Sequence, residues 1–275
     1  MAFSINTNAG ALIALQNLSS TTRALSATEN RINTGLKVAS AKDNAAVFGI
    51  AQNQRATSNS LNSVLGSLQR GQSTVDVALS AGTSIADLLN QQKEKALAAV
   101  DVTLDTTSRG ALNNEFISLR NQITTVTGNA VFNGANLIDS GATQIQALAN
   151  ESGSAVISVS HQSLVLGGAN VTITAAASIG TTAAASIQIA ALNTSISNVS
   201  AALGKLGTGS KALASHERFI TNLQNSIDTG IGNLVDADLA KESANLQALQ
   251  TKQQLGIQAL SIANQSSSIL LGLFR

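Results

Sequence analysis

Apolar residues near the start of the chain recur at the spacing of paired helices. Between about Asn8 and Ala39, one stripe with a seven-residue period is mostly apolar, and Thr22 and Glu29 are its polar members. Such a repeat predicts a helix that pairs with another helix in a coiled coil. The apolar members of this first seam are Leu15, Leu18, Leu25, Ile32, Leu36 and Ala39.

A second seam of the same period lies at the other end of the chain. Residues 230–233 (Gly-Ile-Gly-Asn) predict a helix break, and Asp236 and Asp238 follow where acidic residues favour a helix N-terminus. The weaker members of this seam are Glu242, Gln253, Gly256 and Ser267. Its apolar members are Leu239, Leu246, Leu249, Leu260, Ala263, Leu270 and Phe274. Two seams at opposite ends can pair only if the chain folds back, which predicts a hairpin-like rod with both termini at one end.

Long helical stretches fill most of the chain between the seams. Helix-compatible patterns cover residues 44–97, about 109–127 and 182 to about 228, and Asp105 opens a turn with capping residues before the second. The chain has no proline, which fits long uninterrupted helices. Between residues 135 and 176 the pattern changes to that of strands, at 156–161 and 171–174. We therefore predict a mainly α fold class: a long-helix rod with a terminal coiled-coil hairpin and a small β-hairpin insertion.

The composition favours a protein that buries its exterior against copies of itself. Charged residues make up 11% of the chain, against roughly 25% in typical soluble domains. The formal net charge is +1, so charge gives no argument for a nucleic-acid or membrane partner. There is no cysteine, and the N-terminus shows neither the basic nor the apolar region of a cleaved secretion signal.

Short motifs at both chain ends resemble those of bacterial flagellins, particularly alphaproteobacterial ones. The resemblance covers residues 1–139 and about 182–275. It departs from the family pattern at Asn44, which stands where the family has a second Asp, and at Val47, which stands where it has Gly. The matching motifs are residues 5–8 with Ile5 and Asn6, residues 31–38, residues 41–46 with Asp43, the triplet Phe132-Asn133-Gly134, Ala263-Asn264-Gln265, and residues 270–275 ending in Arg275.

This resemblance implies a structural subunit that polymerises into the flagellar filament for swimming motility. It implies that residues 1–40 and 230–275 form a terminal helical domain lining the inner tube, and that residues 41–229 form a helical rod domain around it. It further implies unfolded export through the flagellar type III channel to the cell exterior, with no enzymatic activity and no cofactor. Implied partners are other copies of the chain, an export chaperone, the filament cap and the hook-junction proteins, with no nucleic acid or membrane among them.

The gaps in the two seams bear on how the ends fold. Thr22, Glu29, Gln253 and Gly256 weaken an isolated coiled coil, and ordering costs about 1–2 kcal/mol per residue in backbone entropy. We therefore expect the seams to be disordered in the monomer and to order when they are buried in the polymer. A chain that lacks residues 235–275 should remain a folded, soluble rod that cannot polymerise.

One departure from the family concerns an innate-receptor epitope on the first long helix of many flagellins. Gln91 stands here in place of a key Arg, and Lys95 in place of an apolar residue. The resemblance therefore implies weak recognition by the flagellin-sensing Toll-like receptor.

Other functional classes have less support in the sequence. A hook–filament junction protein shares the terminal helices, and a secreted helical effector or adhesin could use the same export route. His216-Glu217 begins a zinc-protease motif, but Ile220 replaces its second histidine, and His161 has no partner nearby in sequence. Residues 204–211 resemble a phosphate-binding loop only loosely, because Ser210 separates the second Gly from Lys211.

Overall fold

Five helices and one β-hairpin make up the fold of the residues that the structure describes. The structure, a computed structural model, describes residues 7–141 and 143–272, with side chains described up to residue 265 at the C-terminal end. The helices are α1 (Ala9–Thr34), α2 (Ala45–Ala99), α3 (Thr106–Asn129), α4 (Thr182–Val235) and α5 (Leu239–Gly272). The strands are β1 (Ile145–Leu148) and β2 (Val156–Val159). The mainly α fold class with a small hairpin is therefore confirmed.

The chain divides into two compact units. The first consists of Met1–Ala56 together with Ser226–Arg275, and the second is Thr57–Asn225. Both long helices, α2 and α4, contribute residues to each unit. The first unit therefore contains the two chain ends, and the second contains α3 and the hairpin.

The core of the second unit is a set of heptad seams on α2 and α4. Fully buried residues recur every seven positions on α4, and α3 adds Phe116 and Ile123. This spacing is typical of helices that pack side by side with a slight supercoil. The buried α4 residues are Leu192, Val199, Leu206, Leu213 and Ile220, and those of α2 include Leu61, Leu68, Val75 and Leu89.

The β-hairpin is seated where two glycines leave room for it. The strands pair antiparallel, with Ile145 opposite Val159. A Cβ atom on Gly209 of α4 would come within 2.6 Å of a Val159 methyl group, and one on Gly71 of α2 would meet Ala147 at 3.4 Å. Residues 207–210, which contain two glycines, stay helical, and Gly209 is the one of the two that allows this close approach.

Two sequence-based predictions, one about residues 171–174 and one about residues 230–233, were wrong. Residues 171–174 form no strand, because Thr172 N–H donates to Ser195 Oγ on α4 and Val171 makes only a single bridge to Leu166. Residues 230–233 do not break α4, which continues to Val235. Its last turns bury Ile231 and Val235, and this burial outweighs the roughly 1 kcal/mol that each helical glycine costs.

The two glycines of α4 near the hairpin provide a matched test of its seat. Gly209→Ala should destabilise the protein by about 1–3 kcal/mol, because the added methyl group collides with the stiff side chain of Val159. Gly207→Ala meets nothing within 4 Å and should instead stabilise α4 by up to about 1 kcal/mol. Thermal unfolding of the two variants beside the parent checks both signs. A Gly209→Ala protein as stable as Gly207→Ala would show that the hairpin is not seated this closely.

Candidate functional site

Helices α1 and α5 pack against each other in antiparallel orientation within the first unit. Near the start of α1, the Asn8 side chain donates to the carbonyl oxygen of Ala263 at 2.7 Å. Further along, Leu18 fills the space left by Gly256, and Arg31 then pairs with Glu242 at 3.2 Å. The residue numbers of the α5 partners decrease as the residue numbers along α1 increase, as expected for antiparallel helices. The chain therefore folds back and pairs its two ends.

The inner face of α5 coincides with the second seam of the sequence. Glu242 is buried, Leu239 is half-exposed, and the other seam positions up to residue 263 are half-buried. Those half-buried positions are Leu246, Leu249, Gln253, Gly256, Leu260 and Ala263. Leu270 lies in α5 beyond the described side chains, and Ile5, Asn6, Phe274 and Arg275 lie outside the described residues.

The inner face of α1 differs from the first seam at every second position. Leu18, Leu25 and Ile32 are buried or half-buried as expected, but Leu15 is 52% exposed. At the alternate positions of the seam, the residue that faces α5 is the one immediately before the predicted residue. Thr28, for example, is buried in place of Glu29. The inward residues at these positions are Ala14, Thr21 and Thr28. Their small side chains let the two helices approach closely.

The first seam also ends earlier than expected. Gly35 takes the left-handed conformation (φ 69°) that commonly terminates helices, so α1 stops at Thr34. Leu36 is half-buried against a cluster of Val38, Ala51, Ile231 and Val235, while Ala39 is exposed. This base cluster, together with the hydrogen bond from Lys37 N–H to the Val235 carbonyl, holds the end of α1 beside the end of α4.

Asp43 and Asn44 organise the loop that leads into α2. One carboxylate oxygen of Asp43 accepts hydrogen bonds from the backbone N–H and the hydroxyl of Ser40 and from the N–H of Ala39. The bonds from Ser40, its backbone N–H above all, hold the pKa of Asp43 below its ordinary value of 3.8. Asn44 accepts from the N–H of Val47 and so caps the first turn of α2. Both motif positions therefore have a local structural role.

The triplet Phe132-Asn133-Gly134 forms a tight turn. Phe132 and Ala135 exchange two backbone hydrogen bonds of 2.9 Å, and Asn133 (φ 49°) and Gly134 (φ 80°) between them take positive φ values. An Asn-Gly pair is the favoured sequence for such a two-residue turn. This motif therefore reverses the chain after α3.

Sequence reasoning missed a group of exposed apolar side chains on the terminal helices, which we call the outer apolar patch. Six large apolar side chains here are each more than half exposed: Leu12, Ile13, Leu15, Leu255, Ile257 and Ile262. Five of them lie between the Asn8–Ala263 and Leu18–Gly256 contacts, and the sixth, Leu255, is the residue next to Gly256. The signal available in the sequence was the presence of apolar residues on more than one face of each helix. Asn264 and Gln265, nearby on α5, are exposed.

The two candidate receptor positions differ in their surroundings. Gln91 is exposed, whereas Lys95 is half-buried and pairs with Glu115 of α3 at 2.7 Å. The hydrogen bond from Lys95 to Glu115 raises the pKa of Lys95 above its ordinary value. The lysine is therefore tied down at the α2–α3 contact.

The candidate metal and acidic positions have structural partners. His216 Nε2 lies 2.7 Å from the carbonyl oxygen of Ala149, and Asp238 caps the start of α5 by accepting from Ala240 N–H. Among the described residues, no group of three His, Asp or Glu side chains could hold a metal ion. No described helix is long and apolar enough to cross a bilayer.

Comparison with known proteins gives matches at both chain ends. A family model for the bacterial flagellin N-terminal helical region matches residues 5–143, and one for the C-terminal helical region matches residues 189–274. The flagellin FljM of Caulobacter vibrioides is 56% identical over 99% of this chain and 98% of its own length. FljO of the same organism is 55% identical with the same coverage. A flagellin of Brucella melitensis is 38% identical over 99% of both chains.

The lowered pKa of Asp43 predicts a loss of stability in acid. A carboxyl group with a depressed folded-state pKa contributes its full stabilisation above its unfolded-state value of 3.8 and loses it as pH falls through the folded-state value. The melting temperature of the parent should therefore fall between about pH 5 and pH 2, and Asp43→Asn should weaken this dependence. Because Asp101 and Asp105 also have lowered pKa values, part of the dependence should survive. Parallel curves for parent and variant would contradict the role of Asp43.

Proposed function

Because the chain belongs to the bacterial flagellin family, it is a structural subunit of the extracellular flagellar filament, and we propose that its paired ends carry the contacts between subunits. The observation that supports this assignment is the outer apolar patch on α1 and α5. Fully burying one such Leu or Ile side chain stabilises a complex by about 1.5–3 kcal/mol. Six exposed side chains on one stretch of the hairpin therefore form a surface that favours burial against another copy.

The division of the chain into two units supports a corresponding division of roles. We propose that residues 1–40 and 230–275 line the inner tube of the filament and that residues 41–229 surround it. The first unit, which contains both chain ends, supports the inner assignment because it carries the outer apolar patch. The same family membership supports export as an unfolded chain through the flagellar channel. It also supports an export chaperone, the filament cap and the hook-junction proteins as partners.

Removing α5 tests whether the paired ends carry assembly. Val235 belongs to the base cluster, so the cut is best made after Asp238 rather than before residue 235. The shortened chain should retain the helical content and unfolding temperature of the second unit but should not sediment as filaments, because α1 loses its partner. Circular dichroism and sedimentation after seeding measure the two properties. Filaments of normal diameter from this chain would contradict the proposal.

Single substitutions in the outer apolar patch test the surface itself. Leu12→Gln and Ile262→Gln should each raise the critical concentration for polymerisation about five- to thirty-fold, because each removes about 1–2 kcal/mol of the burial that assembly adds to these partly exposed side chains. Their melting temperatures as free subunits should match the parent, since both side chains are more than half exposed there. Val156→Gln, at an exposed valine of the hairpin, is the control. An unchanged critical concentration for both patch variants would argue against this surface.

We propose that Toll-like receptor recognition of this subunit is weak. Gln91 offers no cation, and the Lys95 ammonium is already paired with Glu115. Purified subunit should stimulate a receptor reporter cell line only weakly, and Gln91→Arg should increase the response. A strong response to the parent protein would be evidence against this assignment.

A further inference from the structure

Helix α1 carries two stripes that could each pair with α5. Both contain Leu18, Leu25 and Ile32, and they differ only in the residues that alternate with these three. One stripe adds Ala14, Thr21 and Thr28, and the other adds Leu15, Thr22 and Glu29. The structure turns the first stripe inward, although only the second adds a leucine. The second stripe also adds Glu29, so the burial of Leu15 favours one setting of α1 and the charge of Glu29 opposes it. The choice of stripe therefore depends on which charges Glu29 and Arg31 meet on α5.

Glu242 is the charged member of the α5 seam. It faces the C-terminal part of α1, where the second stripe has Glu29 and the first has the neutral Thr28. The residue is 8% exposed, and its Oε1 accepts a hydrogen bond from Arg31 at 3.2 Å. Its Oε2 is buried without a hydrogen-bond partner among the described atoms. A buried carboxylate is stable only beside a compensating group, and a second carboxylate in the same place is strongly unfavourable.

Arg31 and Glu29 lie on opposite sides of the line shared by the two stripes. They are two residues apart, which separates them by about 200° around the helix axis. In the structure Glu29 is exposed, whereas Arg31 reaches Glu242. Turning α1 to bury the second stripe would bring Glu29 toward Glu242 and take Arg31 away from it. The two settings of α1 therefore differ in the sign of the charge that Glu242 faces.

We propose that Glu242 sets the rotation of α1 about its own axis by attracting Arg31 and repelling Glu29. This rotation determines which apolar residues of α1 remain outside the hairpin. In the observed setting Leu15 belongs to the outer apolar patch, and in the alternative setting it would be buried against α5. Arg31, Glu29 and Glu242 are thus positioning residues for assembly. Their importance for polymerisation rests on the proposed function, whereas the rotation itself does not.

Because the chain has no cysteine, engineered cysteine pairs can report the rotation. Thr21 is half-buried and Thr22 is exposed, and each hydroxyl donates to the carbonyl four residues earlier at 2.9 Å, so replacing either costs a similar bond. Leu18 contacts Gly256, and the two helices are antiparallel. Thr21, three residues after Leu18, therefore faces the half-buried Gln253, three residues before Gly256. The Thr21→Cys/Gln253→Cys pair reports the observed setting. The Thr22→Cys/Gln253→Cys pair reports the alternative one.

The measurement is the yield of disulfide within one chain after mild oxidation. The variant full-length chain is copolymerised as a minority with the parent, and peptide mapping follows depolymerisation without reductant. If a charge variant does not enter filaments, the same oxidation is carried out on its soluble full-length subunit and, as the matched reference, on the soluble subunit that carries the same cysteine pair without the charge change. In the parent background, the pair with residue 21 should form several-fold more disulfide than the pair with residue 22.

Charge reversal should then invert this preference. Glu242→Arg attracts Glu29 and repels Arg31, so the pair with residue 22 should become the better one. The triple variant Glu29→Arg/Arg31→Glu/Glu242→Arg reverses all three charges and should restore the preference of the parent. An unchanged preference in Glu242→Arg would show that packing alone sets the rotation. Equal yields of the two disulfides in this variant would show that the ion pair only stabilises a rotation that it does not select. Either result, or no preference in the parent, overturns the proposal.

Sedimentation of the same variants separates this proposal from the proposed function. Glu242→Arg should polymerise poorly, and the triple variant should polymerise like the parent. If the disulfide preference inverts while polymerisation is unaffected, the rotation is as proposed but the outer apolar patch does not carry assembly. If polymerisation fails without any inversion, the rotation proposal is wrong and the assembly function stands.

Discussion

The packing of α1 against α5 is the contact on which the rest of the first unit depends. It joins residues more than 200 positions apart, through the Asn8–Ala263 hydrogen bond, the fit of Leu18 to Gly256 and the Arg31–Glu242 ion pair. Each helix packs one face inward and leaves further apolar residues outside. A hairpin of this composition buries only part of its apolar surface within one chain. The surface that remains explains how a subunit with few charges can have copies of itself as its main partners.

Glycine and small residues determine where elements approach closely in both units. Gly256 receives Leu18 between the terminal helices, and Gly209 receives Val159 beneath the hairpin. The same residues lower the helix propensity of the segments that contain them. Packing against neighbouring residues offsets the lower helix propensity of these segments. Helix α4 therefore runs through residues 207–210 and 230–233 without a break. Tertiary packing, rather than local preference, therefore sets the lengths of these helices.

The helical periodicity of apolar residues made most of this fold predictable from the sequence, including the five helices and the inner face of α5. It could not resolve the inner face of α1, because Leu18, Leu25 and Ile32 belong equally to two stripes. The choice depends on the facing helix, where Glu242 distinguishes Arg31 from Glu29, and that contact joins distant parts of the chain. The motif residues Asp43, Asn44 and Asn133 were identified by resemblance, but their roles in capping and turning the chain required the structure. The outer apolar patch was not predicted because a heptad pattern marks only one stripe on each helix.

We propose that the two ends of one chain pair with each other and present their remaining apolar residues to neighbouring subunits. An electron cryo-microscopy map of the assembled filament, at a resolution that shows side chains, tests this most directly. We expect α1 and α5 of the same subunit to be in contact through Arg31 and Glu242 in this map. We also expect Leu12, Leu15 and Ile262 to lie against other subunits. A map in which α1 pairs with α5 of a different subunit, or in which these three side chains face solvent, would contradict this proposal.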